Sequence, residues 1–347
     1  MNLKKKVIST LVFIILFIAA YIFIFKDYSI NAFRENLNNC NKLYLLCAVG
    51  CVALWAFFES LFFKFIFKKM NYKISWYQAI GYVFTETYFS AITPSSTGGQ
   101  PVQMVEMNRD KIPYRISSIV ILINTLLYKV AILLIVAIGF IVFYKEINIL
   151  TPTFKICTAI GFTITTFLVI LVLCLMFSKN FIVKLMHFIY RILWKLKIKK
   201  KKPDSEEKLE NSIKEYHAAA NYIKSDKKII IQSFILIFLQ RLSMFSIYFF
   251  IYKSFYMKDI SLLFAVTIQA FLTMATDFIP IPGAVIISEA LIMETNEVLG
   301  ITSIAKGATL IFRNISFYFL IIVALIYYVI FRTLKRKPAI KLEKEET

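Results

Sequence analysis

Tyr88-Phe-Ser-Ala-Ile-Thr-Pro-Ser-Ser-Thr-Gly-Gly-Gln-Pro101 interrupts a chain otherwise dominated by long apolar runs, and a regular helix cannot pass through it. Pro94 and Pro101 remove backbone donors while Gly98 and Gly99 loosen the chain, so a helix entering from Tyr82 breaks near Thr93. At membrane depth such a break leaves polar backbone groups that lipid cannot satisfy, and it must face protein or water. The stretch is therefore the first candidate for a site.

The rest of the chain supports the membrane setting. Its 347 residues are 59% hydrophobic yet carry a formal charge of +20, and soluble domains are about 45 to 50% apolar. Long continuous apolar segments point to the helical kind of integral membrane protein. The Lys and Arg residues cluster between those segments, which fits cytoplasmic loops against an anionic lipid surface and not nucleic acid. Cys40, Cys47, Cys51, Cys157 and Cys174 form no CxxC pair, and His187 and His217 are far apart, so quiet thiols and no metal or other cofactor are expected. There is no Walker A, GxSxG or HExxH sequence.

Basic loops orient the chain. Residues 1–42 give a first span, Val7 to Phe25, and an external loop. Residues 43–178 form a first membrane half, with spans at Leu43 to Phe63, Ile116 to Phe143 and near Ile156 to Phe177. Residues 179–228 form a basic cytoplasmic segment, with nine Lys or Arg and no acid from Lys179 to Lys202, followed by an amphipathic helix on the stripe Leu209, Ile213, Tyr216, Ala220 and Ile223. Residues 229–333 form a second half, with spans at Ile229 to Tyr252 and Ser303 to Phe331, and 334–347 is a cytoplasmic tail.

Counting back from the basic loop makes Ile74 to Thr97 start and return inside, a re-entrant hairpin followed by a polar segment, Gly98 to Arg115. By the same count 261–300, broken at Asp277-Phe-Ile-Pro-Ile-Pro-Gly283, starts and returns outside. The expected fold is all-α, with about six full spans and two oppositely oriented hairpins in an inverted repeat, both termini cytoplasmic. Such repeats place a substrate site near the midplane, where the broken helices meet. A matched spacing accompanies the topology: Lys129 lies 30 residues after Gly99, and Arg313 lies 30 after Gly283.

Lys129, Arg241 and Arg313 sit inside apolar runs, where a charge costs about 2.5 to 3.5 kcal/mol and faces a cavity or a partner. With Glu86, Glu106, Asp277 and Glu289 as counter-charges they outline a polar interior or, alternatively, structural ion pairs. Glu59 and Lys64, near the end of a span, read as interfacial charges. The candidate cavity set is Glu86, Thr93, Pro94, Gly98, Gly99, Gln100, Glu106, Arg109, Lys129, Arg241, Asp277, Pro280, Pro282, Gly283, Glu289 and Arg313, with no catalytic residue.

Thr93-Pro-Ser-Ser-Thr-Gly-Gly-Gln-Pro101, together with Pro280-Ile-Pro-Gly283, Glu289 and Arg313, resembles the lysylphosphatidylglycerol synthase transmembrane, or flippase-domain, family of bacterial membrane proteins. The resemblance covers roughly Leu3 to Arg332, with Ala284 where the family often has a second glycine. It implies a multi-pass protein of the bacterial cell membrane that moves aminoacylated or otherwise modified phospholipid between leaflets, a lipid-transport role linked to resistance to cationic antimicrobial peptides. Full-length relatives carry a soluble domain that transfers the amino acid from charged tRNA to lipid. This chain stops at Thr347, so that domain and its lysyltransferase activity are expected to be absent. The expected partner is the membrane phospholipid substrate, while a separately encoded lipid synthase and a second copy of the chain are partners the sequence leaves open. The rival readings are a membrane transferase acting on lipid and a small-solute secondary transporter, which would show ion-coupled uptake whatever the lipid.

Overall fold

The computed structural model describes residues 30–178, 226–257, 259–300, 305–334 and 338–341, and its chain is helical almost throughout. The expected first span, the basic loop and the amphipathic helix lie outside these residues. The helices are α1 (Ile30–Asn39), α2 (Lys42–Lys69), α3 (Trp76–Ala91), α4 (Gly99–Arg109), α5 (Tyr114–Val142), α6 (Tyr144–Asn148), α7 (Pro152–Phe177), α8 (Lys227–Ser254), α9 (Leu262–Thr276), α10 (Ile287–Val298), α11 (Ala305–Arg313) and α12 (Phe319–Thr333). Among the described residues, five stretches are long and apolar enough to cross a membrane: α2, α5, α7, α8, and α11 with α12 taken together. The protein is an all-α integral membrane protein.

Two sets of elements repeat. In each, a 28-residue helix (α2 or α8) leads into a short helix, a 3-10 turn opened by proline, a second short helix and a 29-residue helical stretch. The short helices α3 and α9 have 16 and 15 residues, about 24 and 22 Å, less than the roughly 30 Å of a bilayer core. Both begin on a serine cap: Ser75 accepts from the Gln78 amide at 3.2 Å and Ser261 from the Phe264 amide at 3.1 Å. Caps of this kind offset the free donors of a helix start.

α2 and α8 form the largest contact among the described helices and run antiparallel. The Asn41 amide donates to the Ser254 carbonyl at one end, and Glu59 meets Gln240 further along. The two repeats are therefore inverted relative to each other. α12 packs on α3 and α5 packs on α9, as that relation requires.

The α3–α4 hairpin leaves and returns at one end of the bundle. There a two-residue strand, Tyr72–Lys73, pairs antiparallel with Ile340–Lys341, and the Ala339 amide donates to the Asp110 carbonyl at 2.9 Å. This end gathers Lys64, Lys68, Lys69, Lys73, Lys227 and Lys228. The α9–α10 hairpin enters from the other end, and the two broken turns touch.

Two details differ from the sequence reading. The returning limb of the first hairpin extends past Thr97 as α4, because Glu106 and Gln103 find buried partners that make a polar helix tolerable. The repeat also aligns Pro94 with Pro282 and the start of α4, Gly99, with the start of α10, Ile287. Gly99 and Gly283 are thus not equivalent, and the 30-residue spacings to Lys129 and Arg313 do not mark matched positions.

Candidate functional site

The first broken turn is locked by its own polar groups. Thr93 Oγ1 donates to the Phe89 carbonyl at 2.6 Å and accepts from the Gly98 amide at 2.9 Å. Ser95 and Ser96 hold positive φ values of 50° and 55°. In the second turn Gly283 and Ala284 take 62° and 47°, the same conformation. Only the glycine adopts it without steric cost, so the other three residues hold strain at the tips. Gly99 is required by proximity, since a Cβ there would lie 2.1 Å from Ser90 Oγ.

Beside the tips lies a polar cavity of about 440 Å³. Glu59 and Trp55 come from α2, Glu86 and Ser90 from α3, Gln100 and Gln103 from α4, Asn124, Thr125, Tyr128 and Lys129 from α5, and Arg241 from α8; Ser95, Ser96, Thr97 and Asp277 come from the turns. Lys129 Nζ donates to Asp277 Oδ2 at 2.9 Å, and Tyr128 Oη donates to the same oxygen at 2.8 Å. Arg241 lies over the Tyr128 ring, 4.2 Å from its centroid, and its Nε donates to the Gln240 side-chain carbonyl. Among the described residues no carboxylate lies within ion-pair distance of Arg241.

A second cavity of about 220 Å³ lies across the tips and shares Ser95, Ser96 and Asp277 with the first. Superposing the repeats by their helix starts matches the two linings: Ser90 with Thr276, Ser96 with Ala284, Gln100 with Ser288, Thr125 with Ser316. The same register sets Met244 opposite Glu59 and Leu272 opposite Glu86. The two linings correspond by position in the repeat, and only the first carries these two carboxylates.

Several residues expected in the cavity serve other places. Glu289 and Arg313 form a buried pair at 2.7 Å, and Glu289 also accepts from Tyr318 Oη at 2.9 Å, Ser288 Oγ at 2.9 Å and the Ile286 amide at 2.8 Å. Arg313 Nη2 reaches the Gly283 carbonyl at 3.3 Å. The π-helical turn Asn314–Tyr318 directly after Arg313 carries the Tyr318 and Phe317 rings that flank this pair. Glu289 therefore braces the second turn and does not line a cavity, whereas Arg313 borders the second chamber.

Glu106 is fully buried and pairs with Arg109 at 3.2 Å and with Arg332, at the basic end of the bundle and away from the cavity. Both Glu106 and Arg109 leave the candidate set, because a buried carboxylate on α4 is met there by two guanidinium groups. Thr93, Pro94, Gly98, Gly99, Pro280 and Pro282 build the turns, and Gly283 both turns the chain and lines the second cavity.

Glu59 corrects the sequence reading most sharply. It is only 6% exposed and accepts from Asn124 Nδ2 at 3.2 Å and Gln240 Nε2 at 2.9 Å. α2 continues to Lys69, so Glu59 sits deeper than its distance from Lys64 suggested. The stripe Asn124, Thr125, Tyr128 and Lys129, at helical spacing within an apolar span, was the sequence signal for a polar α5 face.

Outside the bundle centre, α5, α7 and α9 border an apolar groove of about 570 Å³ that includes Val136, Phe140, Phe154, Phe162 and Phe271. α7 closes on α9 at Gly161, where a Cβ would stand 1.9 Å from the Met274 carbonyl oxygen. The described residues hold no group of three or more His, Cys, Asp or Glu placed to bind a metal ion.

Residues 7–324 match the family described as the lysylphosphatidylglycerol synthase TM region. The chain belongs to this family. Comparisons with curated proteins and with solved structures found no match. As a lysylphosphatidylglycerol synthase TM region, the chain is a multi-pass membrane protein with a lipid-related function.

Proposed function

We propose that this chain is a flippase, moving an aminoacyl- or otherwise modified phospholipid between the leaflets of a bacterial cell membrane. The observation that carries the reading is the first cavity, where an arginine without a carboxylate partner shares a polar chamber with two carboxylates, Glu59 buried and Glu86 half-buried. A headgroup with both a phosphate and an amine matches that set. Arg241 takes the phosphate, and Glu86 and Glu59 take the amine, as charge-assisted contacts that gain strength away from water.

The second chamber supports a path and not a dead end. Asp277 borders both chambers and is held by Lys129 and Tyr128, so the ion pair and the touching tips form a septum between them. A phosphate that competes for Lys129 releases Asp277 and loosens the septum. Beyond it the chamber has Met244 and Leu272 in place of the carboxylates, which weakens the hold on an amine and favours its release. The apolar groove beside α7 gives an acyl chain a surface to follow while it stays in lipid. Inverted repeats with broken helices at a central site operate by rocking one half against the other.

A strain lacking the chain separates this reading from a transferase. Total lipid and outer-leaflet lipid are measured with an impermeant amine-reactive label. A flippase leaves the amine-bearing lipid in the total extract but out of reach of the label. Loss of that lipid from the total extract would make the chain part of its synthesis.

A further inference from the structure

The charges of the first cavity do not balance. With Lys129 and Asp277 paired, the described residues leave Glu59 and Glu86 against Arg241 alone, two carboxylates for one guanidinium. Glu59 is arranged as an anion: each oxygen accepts an amide donor, and Arg241 holds Gln240 with its NH₂ toward Glu59. Glu86 is arranged differently. Ser90 Oγ donates to its Oε1 at 2.6 Å, and its Oε2 has no hydrogen-bond or ion-pair partner among the described residues.

The groups around Glu86 are fixed by the packing of α3. α2 offers Glu59, α8 offers Arg241, α5 offers Tyr128 and Lys129, and the second turn offers Asp277. α4 adds the neutral Gln100 and Gln103, while α12 packs the Tyr327 and Tyr328 rings against Phe84 and Tyr88. The two cations on this roster are already engaged, Lys129 with Asp277 and Arg241 with Gln240 and the Tyr128 face. A half-buried carboxylate that faces a second carboxylate and has no cation of its own is favoured as the acid.

We infer that Glu86 carries that proton until a headgroup ammonium arrives, and that the protein exchanges one for the other. The inference rests on the headgroup reading of the cavity. In the step, the O–H bond of the Glu86 carboxylic acid breaks, its proton leaves to water, and the carboxylate pairs with the incoming R–NH₃⁺. One positive charge enters as one leaves, and nothing is oxidised or reduced. Carried through an alternating cycle, the exchange sends a proton one way for each cationic headgroup moved the other way, so a proton gradient drives lipid movement.

The test uses the full chain purified in detergent, with short-chain lysylphosphatidylglycerol as probe and phosphatidylglycerol of the same chains as control. Infrared difference spectra read the C=O stretch of a protonated carboxyl, and a dye in weak buffer reads proton release. The expected result is a carboxylic-acid band that disappears on adding the lysyl lipid, with about one proton released per lipid bound and none with the control. Glu86→Gln removes both the band and the release; if that variant does not fold, Glu86→Asp keeps the release and shifts the frequency of the band that disappears. Lysyl lipid that binds without proton release, or a band that persists in Glu86→Gln, overturns the exchange and leaves the headgroup reading in place. A Glu86 band with no binding of the lysyl lipid overturns both.

Discussion

Arg241 and Arg313 both interrupt apolar helices, yet their neighbours give them different work. Arg313 is bound to Glu289 behind the second turn, and removing one member of a buried pair costs about 3 to 5 kcal/mol because the other charge is stranded. Arg241 contacts a neutral amide and a ring, so its loss strands no paired carboxylate. Thermal unfolding of the detergent-purified protein therefore drops sharply for Arg313→Met and by clearly less for Arg241→Ala, whose guanidinium is in no ion pair among the described residues. Equal losses would mean that Arg241 is also structural. The sequence exposed both arginines as costly, but that Arg313 pairs with a carboxylate and Arg241 does not depended on how the chain folds around them. Glu59 was read as an interfacial charge for the same reason, since Gln240 lies 181 residues away.

At the level of elements, the two breaks were legible because proline and glycine act locally. The returning limb α4 was not, since its polar residues are compensated only by tertiary partners such as Arg332 and the Tyr82 carbonyl. The tips hold non-glycine residues at positive φ and touch each other, so they are the place where the halves must part. Cross-linking Ser96→Cys to Ala284→Cys should stop lipid movement until a reductant is added; unimpeded movement in the cross-linked protein would exclude parting of the tips. α7 is held to α9 by the absence of a side chain at Gly161. Gly161→Ala drives a methyl group into the Met274 backbone and should lower stability by about 1 to 3 kcal/mol, read as a fall in unfolding temperature.

For the whole molecule, charge counting along the loops predicts two oppositely directed halves, and the register between the repeats emerges only from the helix starts. Gly99 and Gly283 were similar in type but occupy different places in the repeat, so local sequence similarity misaligned the halves by four residues. The correct register shows that the two chambers differ by two carboxylates. Placing them in the second chamber with Met244→Glu and Leu272→Glu should slow release of an amine-bearing lipid several-fold while leaving phosphatidylglycerol unaffected, as read by leaflet labelling over time. The most direct test of the central claim is leaflet labelling in vesicles reconstituted with the purified chain and lysylphosphatidylglycerol. Wild type is predicted to bring the inner-leaflet lipid within reach of an impermeant amine label, and Arg241→Ala to leave it protected; the same labelling in both, or none above protein-free vesicles, would contradict the account.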